Sequence, residues 1–505
     1  MGTPARRALV LGLDGGTFDL LDPWFRAGEL PFLRRLAEQG FRSPLTSVYP
    51  AKTIPAWYCF ATGQDPGTLG VFGFTEPNGG PGKSRIVQTF RPAEALWDRL
   101  SRHGVTVGVL NFPLRAGYPI NGFVVPGMLS DAPPTFPATL RSELEAATKE
   151  PHVPELPPYR DSDRHRWIDL ATRAVAQYAQ YAEILCERYR PAFLFTLLRE
   201  TDRVEHQHWA ELTRPIQEVG DDLKEFFRTV DRTCERIDRA FRAVGGPERT
   251  FVISDHGHGL ARSDFFTNRW LAREGYLTLK RPKAGWHRRV AARALLASER
   301  YRATRRLVRA VADGLRGGPG RAWVGKVLAG EGSFESMAEN IDWDRTLAFS
   351  YPVPEGIYLN RYHPNLPPEQ ARRTVAEIRA KLERCPDAHI EVFEPREIYS
   401  GRNLDQAPAL LLRIDGLATE PRMDFSYPDP MLRDRPGFFY GSGVHRMEGI
   451  LIVAGDGVAP GTRGAPVSLL DVAPTVLETM GFAPSPGMEG RSFDAALAGA
   501  AEPAG

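Results

Sequence analysis

Five short stretches of this sequence collect side chains able to bind a cation or act as a nucleophile. Asp14 follows the apolar run Ala8–Leu13 in Leu13-Asp14-Gly15-Gly16, where an aspartate is either a ligand or an ordinary turn residue. These glycines lack the G-x-G-x-x-G spacing, which argues against a dinucleotide site. Thr53 lies in YPAKTIPAW, just ahead of a segment able to start a helix. Its hydroxyl is either a helix N-cap or a nucleophile held where backbone N–H groups favour anions. Lys52 beside it either meets a phosphate oxygen or is an exposed turn lysine. Asp202 and His206 stand four apart in TDRVEH, a spacing that turns both to one side of a helix, where they can share a cation. Asp255 and His256 are adjacent in the glycine-flanked turn DHGHG, and His445 precedes the apolar run Ile450–Ala454.

Five of the 11 histidines, His206, His208, His256, His258 and His445, fall in the last three of these stretches. A lone histidine is usually structural, but histidines paired with aspartates at the ends of several apolar runs need another explanation. Carboxylate, imidazole and hydroxyl together suit Zn²⁺ or Mn²⁺. Asp14, Thr53, Asp202, His206, Asp255, His256 and His445 exceed what one tetrahedral zinc needs, which points to two metal ions. His208 and His258 read as supporting or surface residues.

The elements that must position these groups are short strands alternating with longer helices. Ala8–Leu13, Val105–Leu110, Phe193–Leu198, Thr250–Ser254, Leu410–Ile414 and Ile450–Ala454 read as buried strands. Pro92–Arg102, Trp167–Tyr189, Leu223–Val244 and Leu469–Met480 read as amphipathic helices. The alternation predicts an α/β fold, with a mainly parallel central sheet covered by helices on both faces and ligands bound beyond the carboxyl ends of the strands.

The 505 residues, 42% apolar and 25% charged, exclude a disordered, collagenous or coiled-coil chain. A net charge of +2 argues against a surface built throughout for nucleic acid. Residues 281–326 break the pattern, with 13 Lys/Arg against Glu299 and Asp313, a local excess of +11. This stretch reads as a basic helical insertion, either a solvated face or a patch for an anionic membrane, substrate or partner. Residues 1–280 and 345–495 then form one catalytic domain around an insertion at 281–344, with a tail at 496–505. Cys59, Cys186, Cys234 and Cys385 form no C-x-x-C pair and read as reduced thiols. The apolar run near the N-terminus is too short for a signal peptide, and no stretch reaches the ~18 apolar residues of a membrane span. A cytoplasmic protein is the expectation.

The motifs LGLDG, the KT-x-P turn followed by ATGQDPG, TDRVEH, ISDHGHG and the late GVH occur in this order from residue 8 onward, and SLLDVAPTVLETMGFAPSPGMEGRSF closes the pattern near residue 493. The chain thereby resembles the alkaline phosphatase superfamily, in its type I phosphodiesterase/nucleotide pyrophosphatase-like branch. The resemblance implies an alkaline phosphatase-like fold and a metal-dependent phosphoric ester hydrolase acting on a small phosphorylated substrate. It assigns one zinc to Asp202, His206 and His445 and a second to Asp14, Asp255 and His256. Thr53 becomes the nucleophile, also metal-bound, that forms a phospho-threonine. Where nucleotide pyrophosphatases carry a phosphoryl-contacting asparagine this chain has Phe74, which speaks against nucleotide pyrophosphatase activity as such. Sulfatases of the superfamily place a cysteine where Thr53 stands, so arylsulfatase activity is not expected. A phosphodiesterase is the leading reading. A phosphomonoesterase, a phosphotransferase, or a non-catalytic zinc-fold protein docking on anionic surfaces are its rivals.

Overall fold

In the computed structural model, the described residues are 6–280, 338–423, 432–434 and 441–499, apart from positions 88, 91–92, 130–132, 154 and 247. The strands that matter here are β1 (Arg7–Leu13), β2 (Phe41–Thr46), β3 (Val107–Pro113), β4 (Gly122–Gly127), β5 (Phe193–Leu198), β6 (Glu248–Ile253), β7 (Gly257–Leu260), β8 (Gly443–Arg446) and β9 (Glu448–Gly455). The helices are α1 (Thr53–Thr62), α2 (Arg164–Tyr189), α3 (Glu200–Leu212), α4 (Asp221–Ala243) and α5 (Val472–Thr479).

The central sheet has nine strands in the order 462–463, β2, β9, β6, β1, β5, β3, β4, with 467–468 also paired to β2. From β6 through β4 the pairing is parallel. RALVLGL and FLFTLL are buried at every position, as strands covered on both faces must be. One face packs on α2 and α4, whose apolar sides carry Tyr178, Leu185, Phe226 and Ile237. The other packs on α1 and α5, through Trp57, Phe60, Val472 and Val476. The expected α/β architecture with a mainly parallel sheet is therefore present.

Two expectations are corrected. Ile450–Ala454 does lie in the central sheet, but its strand β9 runs antiparallel to both β6 and β2. Leu410–Ile414 is not in that sheet at all. It belongs to a separate four-stranded sheet with Ala348–Phe349, Gly356–Leu359 and Ile390–Phe393, which has its own apolar core. A short apolar run looks alike in either sheet, because burial and not partner identity sets its composition.

Pairing, not sequence proximity, gathers the candidate residues. Leu13 pairs with Leu198 and Gly12 with Ile253, so the carboxyl ends of β1, β5 and β6 lie side by side. Because β9 is antiparallel, its start at Glu448 faces Thr46 at the end of β2, at the same edge. His445 enters there from β8, and Thr53 follows β2 into α1. The predicted basic insertion, 281–344, falls almost wholly outside the described residues. At its flanks the Lys280 N–H donates to the Asn340 carbonyl at 2.8 Å, and Leu279 pairs with Ile341, so the chain departs and returns at one place. Among the described residues no helix is long and apolar enough to cross a membrane.

Candidate metal centre

Asp14 leaves β1 fully buried, and Trp57 Nε1–H, from the first turns of α1, donates to its Oδ2 at 3.2 Å. Gly12 makes room for that indole, since a Cβ there would come within 2.7 Å of it. Gly15 turns the chain at φ +74, a left-handed conformation suited to glycine, and its N–H donates to Asp255 Oδ1 at 3.2 Å. Thr53 is buried and is the first residue of α1. The N-cap is Lys52, whose side chain caps nothing, so Thr53 is not the cap that its sequence position allowed. Lys52 is not exposed: its Nζ lies 2.8 Å from buried Glu355. Both residues line a cleft with Tyr49, Glu420, His206 and His445, which opens the site on one side.

Three of the four carboxylates here are pushed up well above their usual range: Asp14 by burial and then by Asp255 and Asp202, Asp255 by burial and Asp202, and Glu205 by burial and Asp202. Burial also pulls Asp202 up, yet Asp202 is held low, with His206 beside it the largest opposing influence. Burial pushes His256, His258 and His445 well below an ordinary imidazole, so they are neutral near pH 7. The result is a buried, acid-rich cluster faced by uncharged rings.

Among the described residues two groups could each hold a cation, the candidate ligand atoms within each lying no more than 4.8 Å apart: Asp202, His206, His258 and His445, and Asp14, Asp202 and His256. Asp202 stands in both. Asp255 is in neither group but touches the second, with its Oδ2 3.3 Å from His256 Nε2.

The rings are held for coordination. His445 Nδ1–H donates to the Ala51 carbonyl at 2.6 Å, and His206 Nδ1–H donates to the Gly443 carbonyl at 3.0 Å. Both Nε2 atoms then face each other at 2.8 Å, a contact that either a proton between them or a cation bound by both satisfies. Asp202 Oδ1 is 3.3 Å from the first Nε2 and 3.2 Å from the second. Asp14 Oδ1, Asp202 Oδ1, Asp255 Oδ2 and His256 Nε2 are buried without a hydrogen-bond partner among the described residues. Leaving so many polar atoms unpaired in an apolar core is costly, and divalent cations satisfy all of them at once. The residues therefore fit a metal centre.

Every residue expected at the site arrives at the same end of the sheet. His258, read from sequence as a supporting or surface residue, is fully buried inside the first ligand group. His208 points elsewhere, edge-on to Tyr159, and belongs to neither group. Glu205 was not anticipated, although its place three residues after Asp202 on one helical face was a usable signal. Phe74 is 38% exposed.

No curated protein matches the chain. A family model described as type I phosphodiesterase / nucleotide pyrophosphatase matches residues 8–458, a span that contains all of these candidate ligands. With the ligand residues gathered at one edge of a doubly covered sheet, and that match running through them, the chain belongs to the type I phosphodiesterase / nucleotide pyrophosphatase family.

Proposed function

We propose that this phosphoric ester hydrolase cleaves a phosphodiester through a phospho-threonine at Thr53, using two divalent ions, zinc or manganese. Asp202, His206 and His445 would hold one ion, and Asp14, Asp255, His256 and Thr53 the other. When bound, such ions polarise the phosphoryl group and favour the ionised form of a hydroxyl or water. The observation that carries this reading is the contact of His206 Nε2 with His445 Nε2 at 2.8 Å, both beside Asp202 Oδ1.

Thr53 supplies the attacking oxygen. Thr53 is the first residue of α1, and the unpaired backbone N–H groups of a first helical turn favour the charge of a phosphoryl group. A bond forms from Oγ1 to phosphorus as the bond to the ester oxygen breaks, and the threonine proton leaves with the departing alcohol. Water then attacks phosphorus, the Thr53 oxygen departs and regains a proton, and a phosphomonoester is released. Ala51 and Gly443 act through their carbonyls, which fix the two rings, and Trp57 fixes Asp14. The Lys52–Glu355 pair lines the wall of the cleft.

The test is to quench the metal-loaded enzyme during turnover of a chromogenic diester and map phosphorylation by mass spectrometry. A phosphorylated group on Thr53 is expected. Steady turnover with no modified threonine under rapid quench overturns the mechanism.

A further inference from the structure

His258 is built like the two rings that face Asp202. It lies on β7 directly opposite His445 on β8, and as cross-strand partners their side chains share one face of this two-stranded ribbon. It is fully buried, edge-on to His206 at 4.7 Å and stacked on Trp209 at 5.9 Å, so its orientation is fixed by packing. Its Nδ1 lies 3.1 Å from Glu205 Oε2, and its Nε2 lies 3.6 Å from Asp202 Oδ1. Neither ring nitrogen completes a hydrogen bond among the described residues, and neither does Glu205 Oε2. Gly15 makes the pairing possible, since a Cβ there would fall 2.5 Å from His258 Nδ1 and 3.2 Å from Glu205 Oε2.

The distances have a simple reading. In tetrahedral zinc bonded at about 2.0–2.1 Å, neighbouring ligand atoms are about 3.3 Å apart. Asp202 Oδ1 stands 3.3, 3.2 and 3.6 Å from the Nε2 atoms of His206, His445 and His258. These three oxygen-to-nitrogen distances match that spacing, and the four ligand atoms all lie within 4.8 Å of one another.

We infer that His258 is a fourth protein ligand of the Asp202–His206–His445 ion, with Glu205 as the carboxylate that orients it. The inference rests on the proposed metal centre and goes beyond it in ligand number. The carboxylate–histidine–metal arrangement fixes the ring and raises its basicity. Four protein ligands favour tight retention of this ion.

X-ray absorption on the wild-type, zinc-loaded protein tests this without any substitution: four imidazoles shared by two ions are expected, and three overturn the proposal. Zinc competition with a chromogenic chelator on His258→Gln and His258→Phe is the second measurement. About a 10²-fold weaker affinity for one of the two ions is expected, and about 10-fold for Glu205→Gln. Unchanged affinity in a folded His258 variant, with three imidazoles in the wild type, removes His258 from the ligand set and leaves the two-ion reading intact. An active wild type without stoichiometric metal instead overturns that underlying reading.

Discussion

At Thr53 the chemistry hangs on a single oxygen. Thr53→Ala removes the only atom able to form the covalent intermediate, while Asp14, Asp202 and His256 keep their places. Activity on a diester is expected to fall by at least about 10²-fold with zinc content nearly unchanged. Thr53→Ser keeps the hydroxyl and retains part of the rate, losing only positioning. Parallel steady-state rates and metal analysis check both. The buried acids give a second residue-level expectation. Asp14 and Asp255 are held well above the ordinary carboxyl range, first by burial and then by carboxylate neighbours, so the metal-free protein carries extra protons there. Ion binding must release them, and affinity therefore rises with pH. His256 and His445, held low by burial, are already neutral near pH 7 and release none. Zinc titration by calorimetry in buffers of different ionisation heat counts the protons released. A zinc affinity that does not rise with pH contradicts this charge assignment.

Among the elements, the turn after β1 is the sensitive one. Gly15 combines φ +74 with a neighbour that a methyl group would strike at 2.5 Å. Gly15→Ala should cost about 1–3 kcal/mol of stability through strain and crowding. It should also weaken ion binding, because the displaced atoms are His258 Nδ1 and Glu205 Oε2. Thermal melting with and without added zinc separates the two effects. A variant with wild-type melting and metal content would show that the turn relaxes freely. The β7–β8 ribbon matters similarly, since its register, not local sequence, sets His258 opposite His445.

For the whole molecule, the expected stoichiometry is two divalent ions per chain, and chelation should abolish turnover and lower the melting temperature. An ion that binds only the folded state stabilises it by mass action, about 2.7 kcal/mol at a free concentration 100 times the dissociation constant. Full activity after exhaustive chelation would contradict the metal requirement. The basic stretch 281–326 carries +11 in a chain of +2, and its field should attract anions and fade over a Debye length of about 8–10 Å. Because the flanks meet at Leu279 and Ile341, replacing 284–334 by a short Gly/Ser loop should leave hydrolysis of a small ester almost unchanged. Sedimentation with anionic liposomes should then show less binding than the full chain. Equal binding by both proteins at low salt would make the stretch a solvated face.

Read alone, the chain discloses its strands, its main helices and the candidate residues of the site. Continuous apolar runs end in Asp, His and Thr, and neither burial nor turn formation asks for that combination at so many strand ends. What it could not disclose is distance. Leu410–Ile414 has a core strand's composition in either sheet, and only pairing assigns it to the smaller one. The direction of β9 is likewise silent in a pattern of buried residues, yet it is what delivers His445 to the edge where β1, β5 and β6 end. Thr53 as helix cap was open until the backbone placed Lys52 at the cap, and Lys52 as an exposed turn residue was open until Glu355 was found beside its ammonium. His258 and Glu205 were hidden for the same reason. A ligand is recognised by type in one dimension, but by mutual distance only in three, and the register of β7 on β8 created that distance.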